Sequence, residues 1–111
     1  MEEKKMLHKL KIKKKYADAI SGGAKTFELR KEDDRRFNIG DIVIYEVEDS
    51  DYYNGIEGRA FFIPYVLRHS DFPDVIKKGH CVFALKQLSD DLSYYYTHDM
   101  VEQGANLEES I

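Results

Sequence analysis

Lys25, Glu28 and Arg30 fall within six residues, between the Gly22-Gly23 pair and a charged loop, and put an ammonium, a carboxylate and a guanidinium on one short segment. An arginine fork can grip a phosphate or a base edge, a lysine adds a point charge, and a carboxylate accepts from an exocyclic amine or serves as a base. In Lys25-Thr26-Phe27-Glu28-Leu29-Arg30-Lys31, alternation separates Phe27 and Leu29 from Thr26, Glu28 and Arg30. The pattern predicts a strand with the apolar pair buried and the polar row projecting from the other face. Lys25 shares the register of Phe27, so it reaches the polar row only from the strand's first position or through a bulge. The plain alternative is a solvated face with an internal ion pair, an arrangement worth little energetically.

The elements that must position this row can be read on either side of it. His8-Lys9-Leu10-Lys11-Ile12-Lys13 alternates apolar and basic residues and predicts a first strand with Leu10 and Ile12 facing in. Lys14 to Ser21 follows as a short helix with Tyr16, Ala19 and Ile20 at helical spacing, stopped by Gly22 and Gly23. Phe37 anchors the end of the charged loop, and Asn38 to Asp41 turns at Gly40 into a central strand, Ile42 to Val47. Glu48 to Gly58 is acidic, tyrosine-bearing and turn-rich, a candidate lid. Arg59 to Arg68 is expected as one long strand with Pro64 at an edge or bulge, and His80 to Gln87 as the last strand, burying Cys81, Phe83 and Leu85. Tyr94-Tyr95-Tyr96 is expected as a half-buried turn, and the last dozen residues as disordered.

Composition narrows the class. A chain of 111 residues with 42% hydrophobic content supports one core, residues 1–88, with a polar extension over 89–111. The formal net charge of -4 hides an asymmetry: residues 1–36 carry 12 basic and 7 acidic groups, and the remainder 5 and 14. That suits a localised anion site better than broad adhesion to nucleic acid. No apolar run is long enough to span a membrane, and Met1-Glu2-Glu3-Lys4-Lys5 does not lead a signal peptide, so a cytoplasmic location is expected. Cys81, the single cysteine, reads as a core thiol. His8, His69, His80 and His98 lack paired metal spacing, so neither metal nor other cofactor is expected. Gly22-Gly23-Ala24-Lys25-Thr26 is no phosphate loop, because a strand rather than a helix follows.

The set His8-x-Leu10-Lys11-Ile12, Tyr16, Gly23-x-Lys25-x-Phe27-Glu28-x-Arg30-Lys31, Asp34-x-Arg36-Phe37-x-x-Gly40-Asp41, Glu46, Tyr53-x-Gly55, Gly79 and Val82 resembles a small bacterial and phage branch of the ASCH superfamily, over roughly residues 7 to 87. That branch is catalogued as a domain of unknown function. The resemblance implies an α+β fold, a PUA-like mixed β-barrel of about five or six strands with one or two short helices at the rim. It also implies a cleft between helix and barrel, floored by the Lys25 to Arg30 strand and proposed in the superfamily to take RNA or nucleotides. Lys25, Glu28 and Arg30 are then the expected ligand contacts, with His8, Arg36 and Tyr53 as neighbours. One superfamily relative is similar to an enzyme that removes the acetyl group from acetylated cytidine with the motif lysine, a threonine three residues on and a distant glutamate. Lys25 matches the lysine, but Glu28 stands where the threonine would be.

Three functions follow. The first is a monomeric RNA- or nucleotide-binding module. The second is an amidohydrolase on a modified nucleoside, with Lys25 and Glu28 as the catalytic pair. The third is a protein-interaction module acting through the acidic loop and the C-terminal tail.

Overall fold

The computed structural model describes residues 5–48, 55–99 and 107–110. The chain runs β1 (Leu7–Lys13), α1 (Lys14–Ser21), β2 (Phe27–Lys31), β3 (Ile42–Glu48), a 3-10 turn (Gly55–Gly58), β4 (Ala60–Phe62), β5 (Val66–Arg68), β6 (His80–Ala84) and β7 (Lys86–Gln87). It ends with α2 (Asp90–Tyr94), a π turn (Tyr95–Asp99) and β8 (Leu107–Ser110). One sheet has the order β7-β4-β3-β1-β8 and the other β2-β6-β5, so among the described residues the α+β fold holds but the expected closed barrel does not form.

The chain passes between the sheets at two places where a single strand was expected. The run Arg59 to Arg68 breaks at Ile63-Pro64-Tyr65, leaving β4 in the large sheet and β5 in the small one. Pro64 supplies no amide to a ladder, so the break falls around it. His80 to Gln87 likewise divides at Leu85, whose amide still donates to Thr26 O at 2.9 Å while β7 pairs with β4. In the C-terminal segment Leu107–Ser110 pairs in parallel with Leu7 to Leu10, where disorder was expected.

The main core lies between the sheets. β1 contributes Leu10 and Ile12, β3 contributes Val43, Tyr45 and Val47, and β6 contributes Cys81 and Phe83, with Phe37 buried among them. Its length makes α1 marginal alone, and packing of Ala17 and Ile20 on this core holds it. Tyr16, placed by spacing with the buried set, is instead 44% exposed. The opposite face of the large sheet buries Leu7, Ile42, Ile44 and Ala60 under Leu88 and Tyr96. The tyrosine triplet thus packs back on the sheet through its third member.

Candidate functional site

The strand that carries the polar row faces the other way from the sequence expectation. Glu28 is 3% exposed, whereas Phe27 and Leu29 are 50% and 62% exposed. Register explains the inversion. Antiparallel pairing sets Glu28 opposite Phe83 and Arg30 opposite Cys81, and directly paired residues share a face. Since Phe83 and Cys81 point into the core, Glu28 and Arg30 follow them inward and Phe27 and Leu29 are left outside.

What the inward row does is close the seam between the sheets. Glu28 Oε2 accepts from Arg30 Nε at 2.7 Å, and Lys25 Nζ donates to Glu28 Oε1. Arg30 also donates to Lys11 O on β1 at 3.2 Å, spanning the gap that a barrel would close with a strand ladder. Lys25 lies two residues ahead of β2 rather than at the strand's first position or in a bulge, free of the strand's alternation, with its ammonium 5.5 Å from the Phe27 ring centre. Burial, reinforced by the Arg30 charge, lowers the Lys25 ammonium to about 8, and the neighbouring carboxylate pulls in the opposite direction. Behind Arg30, the Tyr45 hydroxyl is buried with no hydrogen-bond partner among the described residues. Burial pushes its pKa up, with the Arg30 charge opposing.

Outside this seam lies a cleft of about 640 Å³. Lys11 and Lys13 of β1, Tyr16 and Ala19 of α1, Lys25 and Phe27 to Arg30 around β2, and Glu48 at the end of β3 surround it. The structure therefore brings together Lys25, Glu28 and Arg30, and adds Lys11, Lys13, Tyr16 and Glu48, which sequence reasoning did not assign to the site. The signal for the two lysines was present in the alternation of β1. For Tyr16 and Glu48 it lay in tertiary placement alone.

Other expected contacts are elsewhere. His8 is fully buried, with Nε2 2.8 Å from Asp41 Oδ2 and its ring 4.6 Å from that of Phe37. Asp41 also accepts from the amides of Asn38 at 3.0 Å and Met6 at 3.2 Å, so His8 belongs to the pin that fixes the turn before β3. Arg36 is exposed and does not line the cleft, while its neighbour Arg35 is the one buried, 5.9 Å above the Phe37 ring. Tyr53 lies outside the described residues. The loop before the turn is held by Glu32, which pairs with Arg68 at 2.9 Å and accepts from the Phe37 amide at 2.8 Å. Burial alone would raise the Glu32 carboxyl, but the Arg68 and Phe37 hydrogen bonds outweigh it and hold it below its ordinary value. Cys81 is a core thiol pushed up to about 12, by burial first and by the Glu32 charge second.

Among the described residues no group of His, Cys, Asp and Glu could hold a metal ion, and no helix is long and apolar enough to cross a membrane. Compared with known families, residues 7–85 match the model described as a domain of unknown function, DUF3850. The chain belongs to that family. The matched DUF3850 span contains β1 through β6 and therefore every residue that lines the cleft. No curated protein matches the chain.

Proposed function

We propose that this DUF3850 chain is a small RNA- or nucleotide-binding module that takes its ligand in the cleft bounded by β1, α1 and β2. The observation that carries the reading is the charge of that cleft. Four cations, Lys11, Lys13, Lys25 and Arg30, stand against two carboxylates, Glu28 and Glu48, on a chain of net charge -4. A basic cleft on an acidic chain concentrates a localised anion such as a phosphate. Its volume of about 640 Å³ lies within the range of small-molecule sites. The half-exposed rings of Tyr16 and Phe27 offer faces on which an unpaired base could stack. Glu28 is engaged by both cations, so its part is to orient Lys25 and Arg30 rather than to read a base itself. The sequence resemblance to the ASCH superfamily, in which the cleft floored by this strand is proposed to take RNA or nucleotides, points to the same cleft.

The test is an NMR titration of the labelled protein with nucleotides, acetylcytidine and short single-stranded RNA and DNA. Saturable shifts confined to the backbone of Lys11 to Arg30 are expected with phosphate-bearing ligands. Arg30→Met should abolish them in a protein that remains folded, and affinity should fall as pH rises through about 8, where Lys25 loses its charge. Undiminished affinity in folded Arg30→Met would exclude the cleft. Product resonances from acetylcytidine, lost in Glu28→Gln, would make the chain a hydrolase instead.

A further inference from the structure

We propose that β8 regulates the ligand cleft from within the chain: seated on the edge of β1, it sets an acidic segment beside the cleft's basic strand and holds ligand affinity down until it leaves. This deepens the ligand reading of the cleft and rests on it. β8 (Leu107–Ser110) pairs in parallel with Leu7 to Leu10, while β1 continues to Lys13. A parallel strand shares its neighbour's direction, so β8 points along β1 toward Lys11 and Lys13, which line the cleft.

The ladder shows how close the two come. Ile42 N donates to Met6 O at 2.9 Å, so the even-numbered backbone groups of β1 face β3, and the odd-numbered ones, those of Lys9 and Lys11 among them, face the opposite edge. β8 occupies that edge, and the same alternation turns the amides of Glu108 and Ser110 toward β1 and that of Glu109 away. With Ser110 opposite Leu10, the next backbone group along the edge is that of Lys11, whose carbonyl accepts from Arg30 at 3.2 Å. The tail strand and the cleft's arginine therefore abut on one edge of one strand.

Charge makes this placement antagonistic to a ligand. Residues 99–111 hold Asp99, Glu102, Glu108 and Glu109 and no lysine or arginine. β1 carries Lys9, Lys11 and Lys13, and the register sets Glu109 opposite Lys9. The strand thus brings to the basic cleft the same sign of charge as a phosphate-bearing ligand, and lowers the potential that would draw one in. Two unit charges about 10 Å from a phosphate change its affinity about fourfold in water, and less as salt rises. An edge strand of four residues has few ladder bonds to hold it, and switching elements are drawn from this low-stability end of a fold.

The test separates the strand from its charge. Glu108→Pro and Glu109→Pro each remove one carboxylate, but only Glu108→Pro deletes an amide aimed at β1. Amide exchange read by NMR should speed up at Lys9 and Lys11 in Glu108→Pro and stay near wild type in Glu109→Pro. Hexauridylate RNA, titrated at low salt, should bind Glu108→Pro about fourfold more tightly than wild type, with Glu109→Pro between the two. A Lys9→Cys, Glu109→Cys double variant makes the converse test: neighbouring strands lie about 4.8 Å apart, within the span of a disulfide, and the oxidised form should bind more weakly than its own reduced form. Native Cys81 is fully buried and does not compete. Equal affinity in Glu108→Pro and Glu109→Pro, or in the oxidised and reduced forms, overturns the regulation and leaves the ligand reading in place. RNA binding absent from every form, Glu108→Pro included, overturns the ligand reading itself and this regulation with it.

Discussion

Replacing Glu28 by Gln removes one charge from the seam while keeping the volume, and its cost can be worked from the contacts. The carboxylate is buried and serves two cations, Lys25 and Arg30, each with a side chain only 17% exposed. Taking one partner out of a buried ionic group costs about 3–5 kcal/mol, because the remaining charges stay desolvated. Here the cleft lets water reach both cations and Arg30 keeps the Lys11 carbonyl, so the lower end, about 3 kcal/mol, is expected. For a domain of this size that is a fall in Tm of roughly 10–15 °C.

The variant should also respond to alkali in a particular direction. Lys25 has a folded pKa below its unfolded value, so the unfolded chain binds more protons between about 8 and 10.5, and stability rises with pH across that window. Without the carboxylate, Lys25 faces Arg30 unopposed, and the rise should begin at lower pH and be larger. Urea denaturation of wild type and Glu28→Gln at several pH values measures both effects. Lys25→Met on top of Glu28→Gln should recover part of the loss, because one of the two stranded cations is gone. A Glu28→Gln protein within 2 °C of wild type would refute the argument that this carboxylate organises the seam.

Three further outcomes follow from other contacts. Asp41→Asn, which weakens the buried His8 pair and the turn it caps, should cost about 2–4 kcal/mol by chemical denaturation and leave ligand affinity in the cleft unchanged; a stability unchanged from wild type would show that the pin carries no weight. Leu29→Ser should change stability by no more than about 0.5 kcal/mol, since the side chain lies outside the core; a loss of a few kcal/mol would restore the inward-facing expectation for Phe27 and Leu29. Arg68→Ala should flatten the acid limb of the stability curve. Glu32 is held below its ordinary pKa, so its contribution is present above the unfolded carboxyl value and lost as pH falls through the folded one. An acid limb identical to that of wild type would remove Arg68 from that role.

Where local chemistry decides, the sequence was legible. The helix falls on Lys14–Ser21 as the glycine stop required, Ile42 opens the central strand, and Phe37 and Cys81 are core residues. The gathering of Lys25, Glu28 and Arg30 was legible from spacing. Their direction was not, because period-two alternation defines two faces of β2 without saying which is inside. Hydrophobicity argued for Phe27 and Leu29, but the long-range register with β6 overrode it. The sheet changes at Pro64 and Leu85 and the pairing of Leu107–Ser110 are likewise tertiary events with weak local signals. His8 drew interest as a strand-end histidine, and only the fold reveals Asp41, 33 positions away, as its partner.

The two passages between sheets bear on how the molecule comes apart. Because Phe62 leads through Pro64 to Val66, and Ala84 through Leu85 to Lys86, each sheet ends in a short strand covalently continuous with the other. Neither layer can peel away without stripping hydrogen bonds from its neighbour. Opening is therefore shared: amides at the centre of β3 and of β6 should exchange with solvent deuterium through one common event rather than as two independent lids.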